Sequence, residues 1–255
     1  MRAVFSAFFR VVLSRVRVLG VVGAVALLAV GTAAPWWWQR LRPDRGDEAL
    51  ERVGPALDAR LRAAGSSLGA PAFIRVFKQP PSLELWVQAG DAFLLFQRYP
   101  ICRFSGGLGP KTTEGDLQAP EGLYSVGLDQ LNPRSRFHLS LNLGYPNAFE
   151  AARGWTGNAL MIHGDCVSIG CYAMGDAAIS EIYTVVREAL RNGQSAVSVQ
   201  ALPFRLDEEN LAKHVRSPFE AHWRALADAY QAFESTRTPP RVEVTPRAYV
   251  VTPRR

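Results

Sequence analysis

Apolar residues in this chain form short runs, some of them interrupted by a charged residue, that are separated by glycine, proline and polar residues. Runs of this length and composition are typical of β-strands. They predict strands over residues 73–77, 83–87 and 92–99, with a hairpin turn at Gly90 and Asp91 between the last two. Further strands are expected at residues 122–128, 137–141, 160–163 and 196–201. The pattern therefore indicates a mainly β fold with flanking helices, of the α+β class.

Other segments show helical spacing of apolar residues. The first predicted helix covers residues 47–64, and the second runs from a cap at Asp176 or a neighbour to Leu190, stopping near Gly193. The third starts in a capping box formed by Ser217 and Glu220 and continues to about residue 233. Its apolar face predicts core packing, with a partner-binding stripe as the alternative. The proline- and arginine-rich tail over residues 239–255 is expected to pack poorly.

Charge is concentrated at the N-terminus. Residues 1–45 hold seven arginines and one aspartate, so they carry the whole formal net charge of +6. The remainder of the chain is balanced, and nucleic acid is therefore not an expected partner. Four of these arginines precede an uncharged apolar run over residues 18–34, which is followed by three tryptophans at 36–38.

An apolar run of this length suits a transmembrane helix, and the indoles suit the far membrane interface. The alternative is a cleaved signal peptide, because residues 31–33 are small. Under either interpretation, the rest of the chain is exported across the cytoplasmic membrane. We expect an inner-membrane anchor with the folded domain in the periplasm, or secretion to the periplasm if the segment is cleaved.

The clearest chemical signal is a histidine and a cysteine eight residues apart, His163 and Cys171. A cysteine attacks as its thiolate, and a neighbouring imidazole can take the thiol proton. The preceding apolar run delivers His163 to a strand end. Gly170 allows a tight turn before the nucleophile, so backbone N–H groups at Ile169, Gly170 and Cys171 are candidates for binding an oxyanion. Ser168 either orients the imidazole or shapes this turn.

Weaker candidates surround this pair. His138 is either structural or substrate-facing. The weak substrate-binding candidates Tyr124, Tyr145 and Asn147 either line a cleft or pack in the interior.

The other two cysteines add alternatives. Cys102 or Cys166 could form a disulfide in an oxidising compartment, and a disulfide to Cys171 would block the nucleophile. With three cysteines, at least one stays unpaired within the chain. A zinc site from His163, Asp165, Cys166 and Cys171 would be crowded and matches no known ligand spacing, so neither a metal nor another cofactor is expected.

Residues 163–171, with sequence HGDCVSIGC, resemble the active-site motif of the L,D-transpeptidase (YkuD-type) catalytic domain. That motif consists of a His-Gly pair, a short spacer and then Ser-x-Gly-Cys. Residues 119–124, with sequence APEGLY, are similar to a further motif of that family. Residues 136–147 and 171–174 resemble its YafK-like subgroup. The similarity covers about residues 72–206 and is specific because several motifs occur in the family's order.

The resemblance implies a β-sandwich or barrel-like catalytic domain. It also implies that Cys171 attacks a diaminopimelate carbonyl in peptidoglycan stem peptides and passes the acyl group to an amine, in cross-linking or protein attachment. Many relatives carry an arginine two residues after the cysteine, where this chain has Ala173. An amidase that releases a peptidoglycan-attached lipoprotein is therefore one alternative. A non-catalytic wall-binding module is another.

The chain of 255 residues, 48% of them hydrophobic, has enough material for one sizeable core. We predict an anchor over residues 1–45, a juxtamembrane helix and linker over 46–71, and a catalytic domain over 72–206. C-terminal helices over 207–238 and the tail over 239–255 complete this organisation.

Overall fold

The computed structural model describes residues 44–254, and its architecture is mixed α+β, as the apolar pattern predicts. A short 3-10 helix at Leu128–Gln130 also occurs. In chain order the elements are α1 (Arg45–Ala63), β1 (Ala72–Phe77), β2 (Ser82–Ala89), β3 (Ala92–Pro100), β4 (Arg103–Phe104), β5 (Gly122–Val126), β6 (Leu131–Asn132), β7 (Ser140–Asn142), α2 (Ala148–Ala151), β8 (Met161–His163), β9 (Tyr172–Ala173), α3 (Asp176–Arg191), β10 (Val197–Leu202), α4 (Glu208–Lys213), α5 (Glu220–Thr236), β11 (Arg241–Val244) and β12 (Tyr249–Thr252).

The central sheet has the strand order β3-β2-β1-β10-β5. Strands β1 and β10 are parallel, and the other neighbours are antiparallel. Every residue of β1 is buried, and all of them except Arg75 are apolar. On one face Ile74 belongs to the same apolar cluster as Leu61 of α1 and Ile182 of α3. On the other face the ring of Phe73 lies 4.6 Å from that of Phe233 in α5. Helices therefore cover both faces of the sheet.

A second sheet of short strands has the order β4-β9-β8-β7-β6. Strands β8 and β9 run parallel, with Ile162 paired to Tyr172 and His163 paired to Ala173. The remaining neighbours in this sheet are antiparallel. His163 is therefore the last residue of one strand, and Cys171 immediately precedes the adjacent strand.

Two predicted strands are shorter in the structure than the apolar pattern indicates. The strand expected over residues 137–141 begins only at Ser140, because His138 has a left-handed backbone (φ 66°) that an extended strand cannot include. The strand expected over 122–128 ends at Val126, where the chain turns into the 3-10 helix.

The predicted capping box of α5 is wrong, and the N-cap of α3 is Gly175, the neighbour of Asp176. Helix α5 begins at Glu220, after Phe219, and no side chain caps it. The Ser217 hydroxyl instead accepts from the Phe219 N–H in a local turn before the helix. Helix α3 follows Gly175, and the carboxylate of Asp176 accepts a hydrogen bond from the preceding loop rather than from its own helix.

The expectation that the C-terminal tail packs poorly is also wrong. Strands β11 and β12 form an antiparallel hairpin. Tyr249 is buried, its ring lies 4.5 Å from that of Phe149, and its hydroxyl accepts from the Asn147 amide. Apolar residues at alternate positions of β12 face the cluster that contains α5, so this hairpin is part of the core.

The predicted transmembrane or signal segment, with the apolar run over residues 18–34 and the tryptophans at 36–38, lies outside the described residues. Within residues 44–254 no helix combines the length and apolar character needed to cross a bilayer. Helix α1, predicted as a juxtamembrane helix, contributes Leu57 and Leu61 to the main core cluster.

A fully buried ion pair joins three parts of this fold. Lys78, just after β1, places its Nζ 3.0 Å from Oε1 of Glu121, and neither side chain is exposed. Lys78 also donates to the carbonyls of Gly107 and Gly109. The other oxygen of Glu121 accepts from the Trp223 indole of α5. The pair therefore fixes the loop over residues 106–121 against both β1 and α5.

We expect Lys78→Met to lower the free energy of unfolding by roughly 3–5 kcal/mol, because it leaves the Glu121 carboxylate buried without its cation. The double variant with Glu121→Gln should recover part of this loss, since no buried charge remains. Lys213→Met removes an exposed ion pair with Glu209 and should change stability by less than about 0.5 kcal/mol. Urea unfolding followed by tryptophan fluorescence measures all three. A Lys78→Met protein as stable as the Lys213→Met control would contradict the expectation.

Candidate active site

His163 occupies a buried position with a defined tautomer. It is 1% exposed, and its Nδ1 lies 2.5 Å from the carbonyl oxygen of Gly164. Because a carbonyl can only accept, the proton belongs on Nδ1 and leaves Nε2 as a free acceptor. Burial lowers the pKa of His163, while the Gly164 carbonyl and the charge of Asp165 partly oppose this shift. The imidazole is therefore neutral near pH 7, the state that a general base requires.

Cys171 is a half-buried free thiol at the start of the strand next to that of His163. Cys171 is the residue before β9, and β9 runs parallel to β8 with Ala173 paired to His163. Because side chains two residues apart in an extended chain point to the same face, we infer that Cys171 and His163 share one face of this sheet. The Cys171 Sγ lies 3.7 Å from the carbonyl oxygen of Ala159. Burial raises the pKa of the thiol, whereas a backbone hydrogen bond from Met161 and the charge of Lys111 lower it. The resting state is therefore a thiol that needs a base.

Ser168 shapes the turn before Cys171. Its hydroxyl donates to the Cys171 carbonyl at 2.7 Å and accepts from the Cys171 N–H at 3.0 Å and the Gly170 N–H at 3.3 Å. Gly170 has a φ of 129°, a conformation that favours glycine. These contacts support the interpretation that Ser168 shapes the turn before Cys171, rather than the alternative that it orients the imidazole. Two of the N–H groups expected at the oxyanion are directed to Ser168 here, so the oxyanion role of Ile169, Gly170 and Cys171 stays a prediction.

A disulfide between Cys102 and Cys166 holds the loop that carries Ser168. Their Cα atoms are 5.4 Å apart although the residues are 64 positions apart in sequence. Because Cys102 precedes β4, the neighbour of β9, the bond joins the loop to the sheet. Cys171 remains free, and the sulfur of Cys166 is not a thiolate that could bind the zinc ion considered above.

His138 lies close to His163 but has structural partners. Its Nε2 is 3.0 Å from the Ser180 hydroxyl, and its carbonyl accepts from the Arg45 guanidinium of α1. A Cβ on Gly164 would lie 2.9 Å from the His138 Cβ, so Gly164 permits this close approach. These contacts support the structural interpretation of His138.

The weak substrate-binding candidates lie in the interior. Tyr124 and Tyr145 are 5% and 6% exposed. The Tyr124 hydroxyl donates to Glu150, the Tyr145 hydroxyl donates to the Lys111 carbonyl, and the Asn147 side chain caps α2. Each side chain thus has a packing role, and substrate binding by any of them stays a prediction.

Two residues that sequence reasoning missed lie close to the proposed pair. The ring of Phe137 stacks on the His163 imidazole with the centroids 4.7 Å apart. Lys111 is 4% exposed and acts on the Cys171 thiol through its charge. A phenylalanine near a histidine in sequence is too common to predict that the two rings stack. A lysine in a polar, glycine-rich loop is usually exposed to solvent, so nothing in the sequence signals the burial of Lys111.

Glu150 of α2 is a buried carboxyl that contacts Tyr124 and Asn147, two of the substrate-binding candidates. It is 1% exposed and accepts from the Tyr124 hydroxyl at 2.5 Å and from the Asn147 N–H at 2.8 Å. Burial raises the pKa of Glu150 to about 7, although both hydrogen bonds act in the opposite direction.

This shift predicts a loss of stability with rising pH. An unfolded glutamate ionises near 4.5 and native Glu150 near 7, so the native state keeps a proton that the unfolded state releases between these values. The free energy of unfolding should fall by roughly 3 kcal/mol over that window. In Glu150→Gln the fall should be much smaller, whereas the exposed control Glu209→Gln should keep it. Urea titrations at pH 4.5 to 7.5 test this, and equal pH profiles in all three proteins would contradict it.

No protein-family model matches this chain. YafK of Escherichia coli K12, which is named as an L,D-transpeptidase, is 47% identical to it over 184 residues, or 72% of this chain and 75% of YafK. YafK of Escherichia coli O157:H7 gives the same values.

Solved structures give weaker similarities. The helical cell shape determining protein Pgp2 of Campylobacter jejuni aligns with a TM-score of 0.43 and 16% identity, over 73% of this chain and 79% of Pgp2. Bd1075 of Bdellovibrio bacteriovorus aligns with a TM-score of 0.38 and 19% identity, over 64% and 62%. Both scores are low, so family membership rests on the identity to YafK. By that identity, the chain belongs to the L,D-transpeptidase family that includes YafK.

Proposed function

We propose that this protein modifies peptidoglycan through a thioester on Cys171, formed at a diaminopimelate carbonyl of a stem peptide. The observation that carries the proposal is a free thiol on the residue before β9 together with a buried imidazole at the end of the adjacent strand β8, whose tautomer leaves Nε2 as an acceptor. Membership of the L,D-transpeptidase family supports the substrate class. A non-catalytic wall-binding module would have no need of this arrangement.

In the first half-reaction the Cys171 sulfur attacks the carbonyl carbon, and the thiol proton passes to Nε2 of His163. The tetrahedral intermediate collapses, the C–N bond breaks, and His163 returns the proton to the leaving amine. The product is a thioester and a neutral imidazole. The hydrogen bond from Nδ1 to the Gly164 carbonyl supports this role, because it favours the imidazolium that forms during the step.

In the second half-reaction an acceptor amine attacks the thioester carbonyl, and His163 takes its proton. The C–S bond then breaks, and His163 returns the proton to the sulfur of Cys171. This transfer yields a cross-link or a protein attached to peptidoglycan.

Two observations also favour water as an acceptor. Ile169, beside the nucleophile, is 83% exposed, so the rim of the site is open to solvent. Ala173, paired with His163 in the register, offers no cation for a substrate carboxylate. An amidase that releases a peptidoglycan-attached lipoprotein is thus the second candidate.

The proposed location follows from the substrate. Peptidoglycan lies outside the cytoplasmic membrane, and the predicted segment within residues 1–45 would export the domain. We include in the proposal an inner-membrane anchor with the catalytic domain in the periplasm.

We expect Cys171→Ala to abolish turnover of purified sacculi, because it removes the group that forms the thioester. His163→Ala should keep the thiol and lower turnover on the order of 100-fold or more through lost proton transfer. Val215→Ala, an exposed aliphatic residue after α4, is the control and should keep full activity. Mass spectrometry of the released muropeptides measures each rate.

Wild-type turnover in Cys171→Ala would refute the mechanism. A thiol-directed acylating probe separates the non-catalytic alternative, since a wall-binding module has no reason to form a stable acyl-enzyme. Labelling in the wild type but not in Cys171→Ala would support the enzyme.

The fate of the thioester is tested in ¹⁸O-water. Because the site is open to solvent, we expect label in the released diaminopimelate carboxylate, showing that hydrolysis accompanies or replaces transfer. Unlabelled cross-linked products alone would exclude the amidase. Label in every product, with no cross-link even when acceptor amine is added, would exclude the transferase.

A further inference from the structure

Lys111 is a buried cation in the loop between β4 and β5. Its Nζ lies 2.6 Å from Oδ1 of Asp116 and donates to the Thr113 carbonyl at 2.9 Å. An ammonium group has three donors, and a buried charge is tolerated only when it is paired. Burial alone would raise the pKa of Asp116, but Lys111 and three backbone N–H groups lower it to about 2. The pair is therefore ionised, and the positive end is fixed in place.

Backbone contacts bring this cation to the neighbourhood of the nucleophile. The Thr156 N–H donates to the Thr112 carbonyl at 3.0 Å, which joins the Lys111 loop to the segment that leads into β8. The Lys111 stem crosses Gly157, where an added Cβ would lie 2.6 Å from the Lys111 Cε. Two residues further, the Ala159 carbonyl contacts the Cys171 Sγ. The same segment thus touches both Lys111 and Cys171.

We propose that Lys111 is the standing positive charge of this site and that it stabilises the thiolate of Cys171. The inference deepens the proposed function, on which it rests for the meaning of the thiol chemistry. Lys111 acts through Cys171 and so is a positioning residue. Gly157 has no side chain and so leaves room for the Lys111 side chain to approach the segment that leads to Cys171. The Asp116 carboxylate holds the Lys111 ammonium in place.

The surrounding groups leave this role open to Lys111. His163 ends the strand next to β9, and burial lowers its pKa, so the imidazole is not a permanent cation. Asp165 acts on His163, and Asp176 at the start of α3 accepts from the Asp165 N–H. At Cys171 itself, Lys111 is the charged group that lowers the pKa of the thiol. Among these groups, the permanent positive charge that acts on Cys171 is therefore that of Lys111.

The test is the pH dependence of alkylation of Cys171 by iodoacetamide in the full oxidised chain. The sequence has three cysteines and the disulfide holds two, so Cys171 is the single thiol that reacts. We expect Lys111→Met to shift the profile to higher pH and to slow alkylation at pH 7 by about 3- to 10-fold, since only the thiolate reacts. Lys111→Arg should keep most of the wild-type rate. Lys213→Met, a surface lysine, should leave the profile unchanged.

Asp116→Asn tests the same cation through its partner. Because Asp116 pairs with the buried ammonium and holds it in place, its removal should also shift the profile to higher pH and slow alkylation at pH 7, in the same direction as Lys111→Met. This variant decides the matter if Lys111→Met does not fold, as judged by circular dichroism. Coinciding profiles in folded Lys111→Met and wild type, or in folded Asp116→Asn and wild type, would overturn the proposal.

The readout does not depend on peptidoglycan turnover. Wild-type protein that is inactive on sacculi but shows the shifted profiles would refute the proposed function and retain the role of Lys111. Normal turnover in all variants with unshifted profiles would refute only the role of Lys111.

Discussion

A buried ion pair between Lys78 and Glu121 joins β1, the loop over residues 106–121 and α5. Burying two charges costs more free energy than their attraction returns unless every remaining donor and acceptor is satisfied. Here the ammonium donates to two loop carbonyls, and the carboxylate accepts from the Gly109 N–H and the Trp223 indole. These partners come from a loop and a helix that are distant in sequence. The pair can form only when β1, the loop and α5 are assembled together.

That loop is what places Lys111 beside the proposed nucleophile. Its far side is held by the Lys111–Asp116 pair, and Asp116 also accepts from backbone N–H groups of Thr112, Thr113 and Gln118. A polar, glycine-rich segment without regular secondary structure thus has a defined conformation. Its order comes from two ion pairs, Lys78–Glu121 at its ends and Lys111–Asp116 in its middle, rather than from apolar burial.

Burial acts on the two proposed reacting groups in a consistent way. It lowers the pKa of His163 and raises the pKa of the Cys171 thiol, so both groups are neutral at rest. A neutral pair fits proton transfer during attack better than a preformed ion pair. The stacked ring of Phe137 and the hydrogen bond to the Gly164 carbonyl hold the imidazole in one orientation and one tautomer.

Local periodicity and the spacing within one loop were enough to predict the α+β class, most strand positions and the candidacy of His163 and Cys171. The pairing of the cysteines follows from the assembled fold, since Cys102 and Cys166 are distant in sequence but adjacent in space. The assembled fold also decided the position of Lys111, the packing of the C-terminal hairpin and the start of α5. Each of these depends on contacts between distant segments, where a buried partner overrides the local preference for a cap, a loose tail or a solvated lysine.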